Sequence, residues 1–191
     1  MYERTKEQLI TAPTIEPVSG IEAAKHCYVT SHDDDAYLAD LITAARMHVE
    51  EICWSALITQ TWQYWFDRFD SRLFVPRPPL QTIGFVKYTA ADGTLTTVDS
   101  AVYETSAERQ LHFVRLAYQQ SWPSARGHGD DVTIQAVVGY GDAATDVPMP
   151  LRQAIKLLVG HMYRVRGDEP PQELPAAVKP LLAPYRIKKE S

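Results

Sequence analysis

The hydrophobic period of this chain changes twice, and each change marks a boundary that the fold must respect. Apolar residues recur at Leu38, Leu41, Ile42, Ala45, Val49, Ile52 and Cys53, steps of one, three and four that line one face of an α-helix. The same spacing returns at Leu151, Ala154, Ile155, Leu158, Met162 and Val165. Between these stripes, over about 57–140, the period falls to two. Val132, Ile134, Ala136 and Val138 alternate with Thr133 and Gln135, and Thr59–Phe69 is rich in threonine and aromatics, residues that suit a pleated surface. The predicted class is therefore α+β: a small helical bundle carrying an inserted antiparallel β region.

Local signals extend this outline. Ser19 with Glu22 three residues on predicts a capping box and a short helix near 20–27. Asp33, Asp34 and Asp35 open the helix expected at 34–53, where carboxylates meet unpaired N–H groups and the positive end of the dipole. Strands are expected near 82–90, 95–98, 101–105, 110–116 and 131–139, with a hairpin at Asp92-Gly93. Pro150 suits the first turn of a helix over 150–166, and Gly167 its end. Pro180 and Pro184 limit a last helix to 175–183. Pro13 and Pro17 mark residues 1–18 as an extended arm. The predicted organisation is an arm and short helix at 1–30, one domain at 31–167 and a tail at 168–191.

Composition narrows the functional classes. With 45% apolar and 23% charged residues, the 191-residue chain has the make-up of a globular protein. A net charge of -5 argues against a duplex-DNA wrapper, which needs clustered cations. Two cysteines, Cys27 and Cys53, make no disulfide scaffold and read as free thiols. The N-terminus lacks a signal-peptide core, and no apolar run is long enough to span a bilayer, so the expectation is a soluble, non-secreted protein without a membrane role.

No arrangement of residues makes a strong case for catalysis, and no cofactor or metal is expected. Gly139-Tyr-Gly141-Asp-Ala-Ala144 fits the loose dinucleotide fingerprint, yet Pro148 and Pro150 follow too soon for its helix. Asp67 and Asp70, three apart on a strand, would point to opposite faces. The six histidines show no metal-ligand spacing. Ser124 and His128 share a loop without a nucleophile elbow. The aromatic strand offers Trp62 and Trp65 as candidate partner contacts on opposite faces, and a small-ligand or carbohydrate-binding β module with helical flanks is the alternative function. The helix at 150–166 carries Arg152, Lys156, Arg164 and Arg166 without an acid, which makes Arg152 and Lys156 candidates for docking on an acidic surface.

Four stretches together carry a resemblance. The first is Tyr37-Leu-Ala-Asp-Leu-Ile-Thr-Ala-Ala-Arg-Met-His-Val-Glu-Glu, continuing into Leu57-Ile-Thr-Gln-Thr-Trp62. The second is Val75-Pro-Arg-Pro-Pro-Leu-Gln-Thr-Ile with the Tyr88 to Gly93 hairpin. The third runs from Trp122-Pro123 to Val138-Gly-Tyr-Gly141. The last is Pro150-Leu-Arg-Gln-Ala-Ile-Lys-Leu-Leu-Val-Gly-His-Met-Tyr with a tail ending Leu181-Leu-Ala-Pro-Tyr-Arg186. In order and spacing, over roughly 30–187, they resemble the head–tail connector (adaptor) proteins of tailed bacteriophages and gene-transfer particles.

Membership would imply a structural, non-enzymatic virion protein at the head–tail junction, assembled in the host cytoplasm. It would form a homo-oligomeric ring, commonly of twelve, beneath the portal protein, with a neck or tail completion protein on its other side. Genome DNA would pass through the channel without specific binding. The resemblance also implies a C-terminal segment that docks in the portal, here Leu181, Leu182, Pro184, Tyr185, Arg186 and Ile187. Apolar anchors beside cations suit insertion into a partner groove. On this reading, deleting residues 180–191 abolishes portal attachment and leaves the domain folded.

Overall fold

The computed structural model describes residues 6–108, 110–165 and 175–187. They form two compact units, a helical one drawn from 13–58 and 140–186 and a β one drawn from 6–12, 59–139 and Ile187. The α+β class expected from the change of period is the class observed.

The helical unit contains α1 (Gly20–Cys27), α2 (Asp35–Cys53), α3 (Met149–Arg164) and α4 (Val178–Leu182). The two stripes read from the sequence become its core. Leu38, Ile42, Ala45, Val49 and Cys53 of α2 pack with Leu151, Ala154, Ile155, Leu158 and Val159 of α3, together with Val18, Ala23, Leu57, Ile58, Val147, Val178 and Leu182. Both cysteines are free thiols, and burial pushes that of Cys53 up to about 11 against a smaller opposing pull from Arg186.

The capping box predicted for α1 is present. The Glu22 amide donates to Ser19 Oγ at 3.2 Å, and the Ser19 amide donates to the Glu22 carboxylate at 3.0 Å. That amide is the main reason the Glu22 carboxyl titrates below its ordinary value. Burial opposes the effect, and the Ser19 hydroxyl, Arg152 and Lys156 reinforce it. A depressed folded-state pKa contributes stability that is present above the unfolded-state value and lost as pH falls through the folded one. Ser19→Ala leaves the backbone amide at 19 in place and removes the two Oγ bonds, one of them to the Glu22 carboxylate, and should cost about 0.5–2 kcal/mol near neutral pH. The difference from wild type should shrink in acid, as urea titrations on both sides of the carboxylate range would show.

Asp34 corrects one expectation about α2. It occupies the N-cap but makes no side-chain cap bond; its carboxylate instead accepts the hydroxyl of Tyr163 on α3. Asp35 pairs with His32 at 2.9 Å. Among the described residues no group of three or more His, Cys, Asp or Glu is placed to hold a metal. Pro150 sits in the first turn of α3 as predicted, and the helix ends at Arg164 with Val165 as its C-cap. Gly167, the expected stop, lies outside the described residues.

The described residues of the β unit form eight strands in two antiparallel sheets. They are β1 (Lys6–Thr11), β2 (Gln60–Phe66), β3 (Arg72–Val75), β4 (Leu80–Thr89), β5 (Leu95–Thr97), β6 (Tyr103–Glu108), β7 (Leu111–Leu116) and β8 (Val132–Val138). One sheet has the order β1-β2-β8-β4-β5 and the other β3-β7-β6. Register follows the alternation seen in β8. Ile134 lies opposite Tyr64 on one side and Val86 on the other, and all three are fully buried.

Two strands were not expected. Residues 6–11, read as part of an arm, are an edge strand paired with β2, and β3 is a four-residue strand paired with β7. β1 is held by more than its ladder. Glu7 accepts from Arg77 Nη2 at 2.7 Å and from Nε at 3.2 Å. Lys6 pairs with Asp130 at 2.6 Å. Under this edge, the Tyr64 hydroxyl donates to the Pro76 carbonyl at 2.9 Å. Burial raises that phenol far above its ordinary value, Glu7 adds to the rise and Arg77 opposes it.

Candidate interaction surfaces

The residues singled out for docking fall in three places. The first is the C-terminal segment. Val178, Leu181 and Leu182 are spaced to share one side of a helical turn, and Val178 and Leu182 enter the core formed by α2 and α3. Leu181 and Tyr185 pack against that core while half-buried, and Ile187 is buried. The outward residues are Ala183, Pro184 and Arg186, together with Lys179 and Pro180. The six predicted docking residues thus divide. Leu182 and Ile187 face inward, Pro184 and Arg186 face outward, and Leu181 and Tyr185 lie between. A deletion of residues 180–191 would also remove Leu182 from the core, so its effect on folding has to be measured alongside its effect on docking.

The second place is α3. Arg152, a candidate for docking on an acidic surface, has its guanidinium engaged within the chain. Its Nε donates to the Pro17 carbonyl at 2.8 Å and its Nη2 to Glu22 at 2.8 Å, with 12% of the side chain exposed. It ties the segment before α1 to α3, and no spacing rule could have paired residues so far apart in sequence. Lys156 is half-buried and close enough to help lower the Glu22 pKa. Arg164 is exposed; Arg166 lies outside the described residues.

The third is the aromatic strand β2. Trp62 and Trp65 do lie on opposite faces, both half-buried. Each meets a cation of its own unit: Arg77 stands 4.3 Å from the centre of the Trp62 ring and Lys6 stands 5.3 Å from that of Trp65. Such pairings stabilise by about 0.5–1 kcal/mol where exposed, and each covers one face of its ring. Trp122 stacks on Phe69 with centroids 4.6 Å apart and donates to the Asp70 carbonyl.

The weaker catalytic readings fare no better. Asp67 accepts from the Asp130 amide and Asp70 from the Ser71 amide, so neither carboxylate faces the other through a shared partner. His128 uses its backbone amide to bind Asp131, and no hydrogen bond joins it to Ser124 among the described residues. After Gly139 and Gly141 comes a short 3-10 turn, Ala144–Asp146, and the Asp146 carboxylate lies where a side chain at 141 would stand. The turn leaves the sheet, and no phosphate-binding helix follows.

No protein-family profile and no curated protein matches this chain. Its fold does match solved structures. A chain in the neck of an empty gene transfer agent particle, with C6 symmetry, superimposes with a TM-score of 0.82 at 22% identity. A chain in the virion of a native gene transfer agent particle gives 0.80 at 22%, and one in the native neck with C12 symmetry gives 0.71 at 20%. Each match covers 97% of both chains. At this identity the likeness establishes a shared fold.

Proposed function

We propose that this chain is a structural protein of a phage-like neck: a ring-forming head–tail adaptor that binds beneath a portal and joins the DNA-filled head to the neck and tail. The observation that carries the reading is the fold similarity to neck subunits of gene transfer agent particles, which spans 97% of each chain. A match of that extent includes the helical unit and the β unit together.

The physical features of the chain support this role. A cyclic ring needs two different patches on every subunit, which a chain with distinct helical and β units is able to supply. The C6 and C12 symmetries belong to the similar necks; a ring of twelve is our proposal for this chain. Its net charge of -5 suits a channel through which DNA moves without sticking. The exposed ridge of Pro184 and Arg186 is the proposed portal contact, backed by the packed face of the same segment. The reading places the protein in the virion, with assembly in the host cytoplasm, and assigns it no catalytic step.

Disrupting the gene in cells that make the particles provides the test. Filled heads and free tails should accumulate unjoined in electron micrographs, and the intact gene should restore joining. Normal numbers of tailed particles in the disrupted strain would overturn the proposal.

A further inference from the structure

The helical unit holds an open apolar groove on the outer side of its core, floored by residues of that core. It has a volume of about 750 Å3 and is lined by α1, the connection at 28–32 and the start of α2, with Ala24, Val29 and Leu38 among its walls. Ile21 and Tyr28 stand at its rim. They are the two most exposed large hydrophobic residues of this unit among those described, at 83% and 92%. Seven residues apart, they bracket α1 on one side. Exposed apolar residues around a concavity mark a contact surface rather than a packing accident.

Tyr28 strengthens the point. It is the C-cap of α1 with φ of 58°, a left-handed conformation that glycine adopts freely and a bulky side chain adopts at a cost. The exposed phenol makes no core contact to offset it. The fold alone therefore gives no reason for tyrosine at this position.

A matching surface lies elsewhere on the same unit. Ala36, Asp40, Ala44 and Met47 fall on one stripe of α2 by helical spacing, and all are exposed, with Met47 at 59%. The stripe is low except for Met47, a flexible side chain well shaped to enter an apolar groove. Its acid, Asp40, has a counterpart in the exposed Lys25 lining the groove.

We infer that the groove receives the α2 stripe of a second copy of this chain, and that this heterologous contact is the one repeated around the ring. The inference rests on the ring reading above. A groove on one copy and a stripe on the next are the two different patches that head-to-tail closure requires, and the Lys25 and Asp40 charges orient the pair.

Two single substitutions test it. Ile21→Asp disables the groove and Met47→Asp disables the stripe, each by placing an unpaired charge in an apolar contact, which should weaken association about a hundredfold or more. Both positions are exposed, so melting temperatures should match wild type. Wild-type chain mixed with portal-bearing heads should form rings, and neither variant alone should. A one-to-one mixture of the variants retains one intact contact, between the groove of Met47→Asp and the stripe of Ile21→Asp. Sedimentation should therefore show dimers and nothing larger. Rings from either variant would overturn this inference while leaving the neck reading intact. So would rings that form but fail to hold heads, which would assign the groove to the portal. Wild-type chain that neither oligomerises nor joins particles would overturn both.

Discussion

Replacing Arg46 with leucine should lower the unfolding free energy of this protein by about 3–5 kcal/mol. Arg46 and Glu50 lie one turn apart on α2, each side chain only 9% exposed, with Nη1 donating to Glu50 Oε2 at 2.7 Å. Arg46 Nε also donates to Glu16 at 2.8 Å, and Thr43 donates to the other oxygen of that carboxylate. Glu50 meanwhile accepts the Leu57 amide at 2.9 Å, which secures the turn that follows α2. Burial alone would lower the Arg46 pKa; Glu50 and Glu16 outweigh it and the guanidinium is held more firmly charged.

Leucine at 46 would leave the Glu50 carboxylate buried without its counter-charge, and that desolvated anion is what makes the loss large. A double change, Arg46→Met with Glu50→Gln, should recover part of it, because glutamine keeps an acceptor for Leu57 and the buried Glu50 charge is gone, while the more exposed Glu16 keeps its bond from Thr43. Urea denaturation of both variants is the measurement. A single-variant loss below about 1 kcal/mol would mean the network behaves as an exposed ion pair. Total stabilities are about 5–15 kcal/mol, so the single change should remove a fifth or more of the total and, at the low end of that range, bring the chain close to unfolding.

The same network shows what could and could not be read from sequence. The stripe from Leu38 to Cys53 specified α2 because period 3.6 is a local property, and the Ser19–Glu22 box was legible for the same reason. Arg46 and Glu50 could be seen as an i,i+4 pair, but Glu16, thirty residues upstream, could not be assigned to them. The failure at residues 6–11 has a related cause. Pro13 and Pro17 indicate extended backbone equally for an arm and a strand, and only the partner β2, distant in sequence, distinguishes them. β3 has four residues ahead of Pro76, too few for an alternation to register. Arg152 lies on the helix expected for it, but its pairing with Glu22 was not legible, since a cation on a helix looks the same whether its partner is another protein or a residue of its own chain. The inward side of the tail was readable: Val178, Leu182 and Tyr185 are spaced as a helical face, a signal masked by the prolines around it.

That spacing sets the second large effect, which separates folding from docking in the C-terminal segment. Leu182→Ala should cost about 2–5 kcal/mol, the range for emptying a fully buried leucine site, because Leu182 is 1% exposed within the core that joins α4 to α2 and α3. A deletion beginning at residue 180 removes this side chain and the packed Leu181 and Tyr185 with it, so its loss of particle joining would report a damaged fold. Arg186→Glu is the informative change. Arg186 is exposed, and a surface substitution there should alter stability by no more than about 0.5 kcal/mol. If the outward ridge meets the portal, reversing its charge should reduce head attachment about tenfold, equivalent to about 1.4 kcal/mol. Thermal melts and head-binding assays on the two variants should therefore move in opposite measures: Leu182→Ala mainly in the melt, Arg186→Glu only in binding. Unchanged head binding by stably folded Arg186→Glu would remove this residue from the docking surface, and a Leu182→Ala melt equal to wild type would contradict the packed placement of α4.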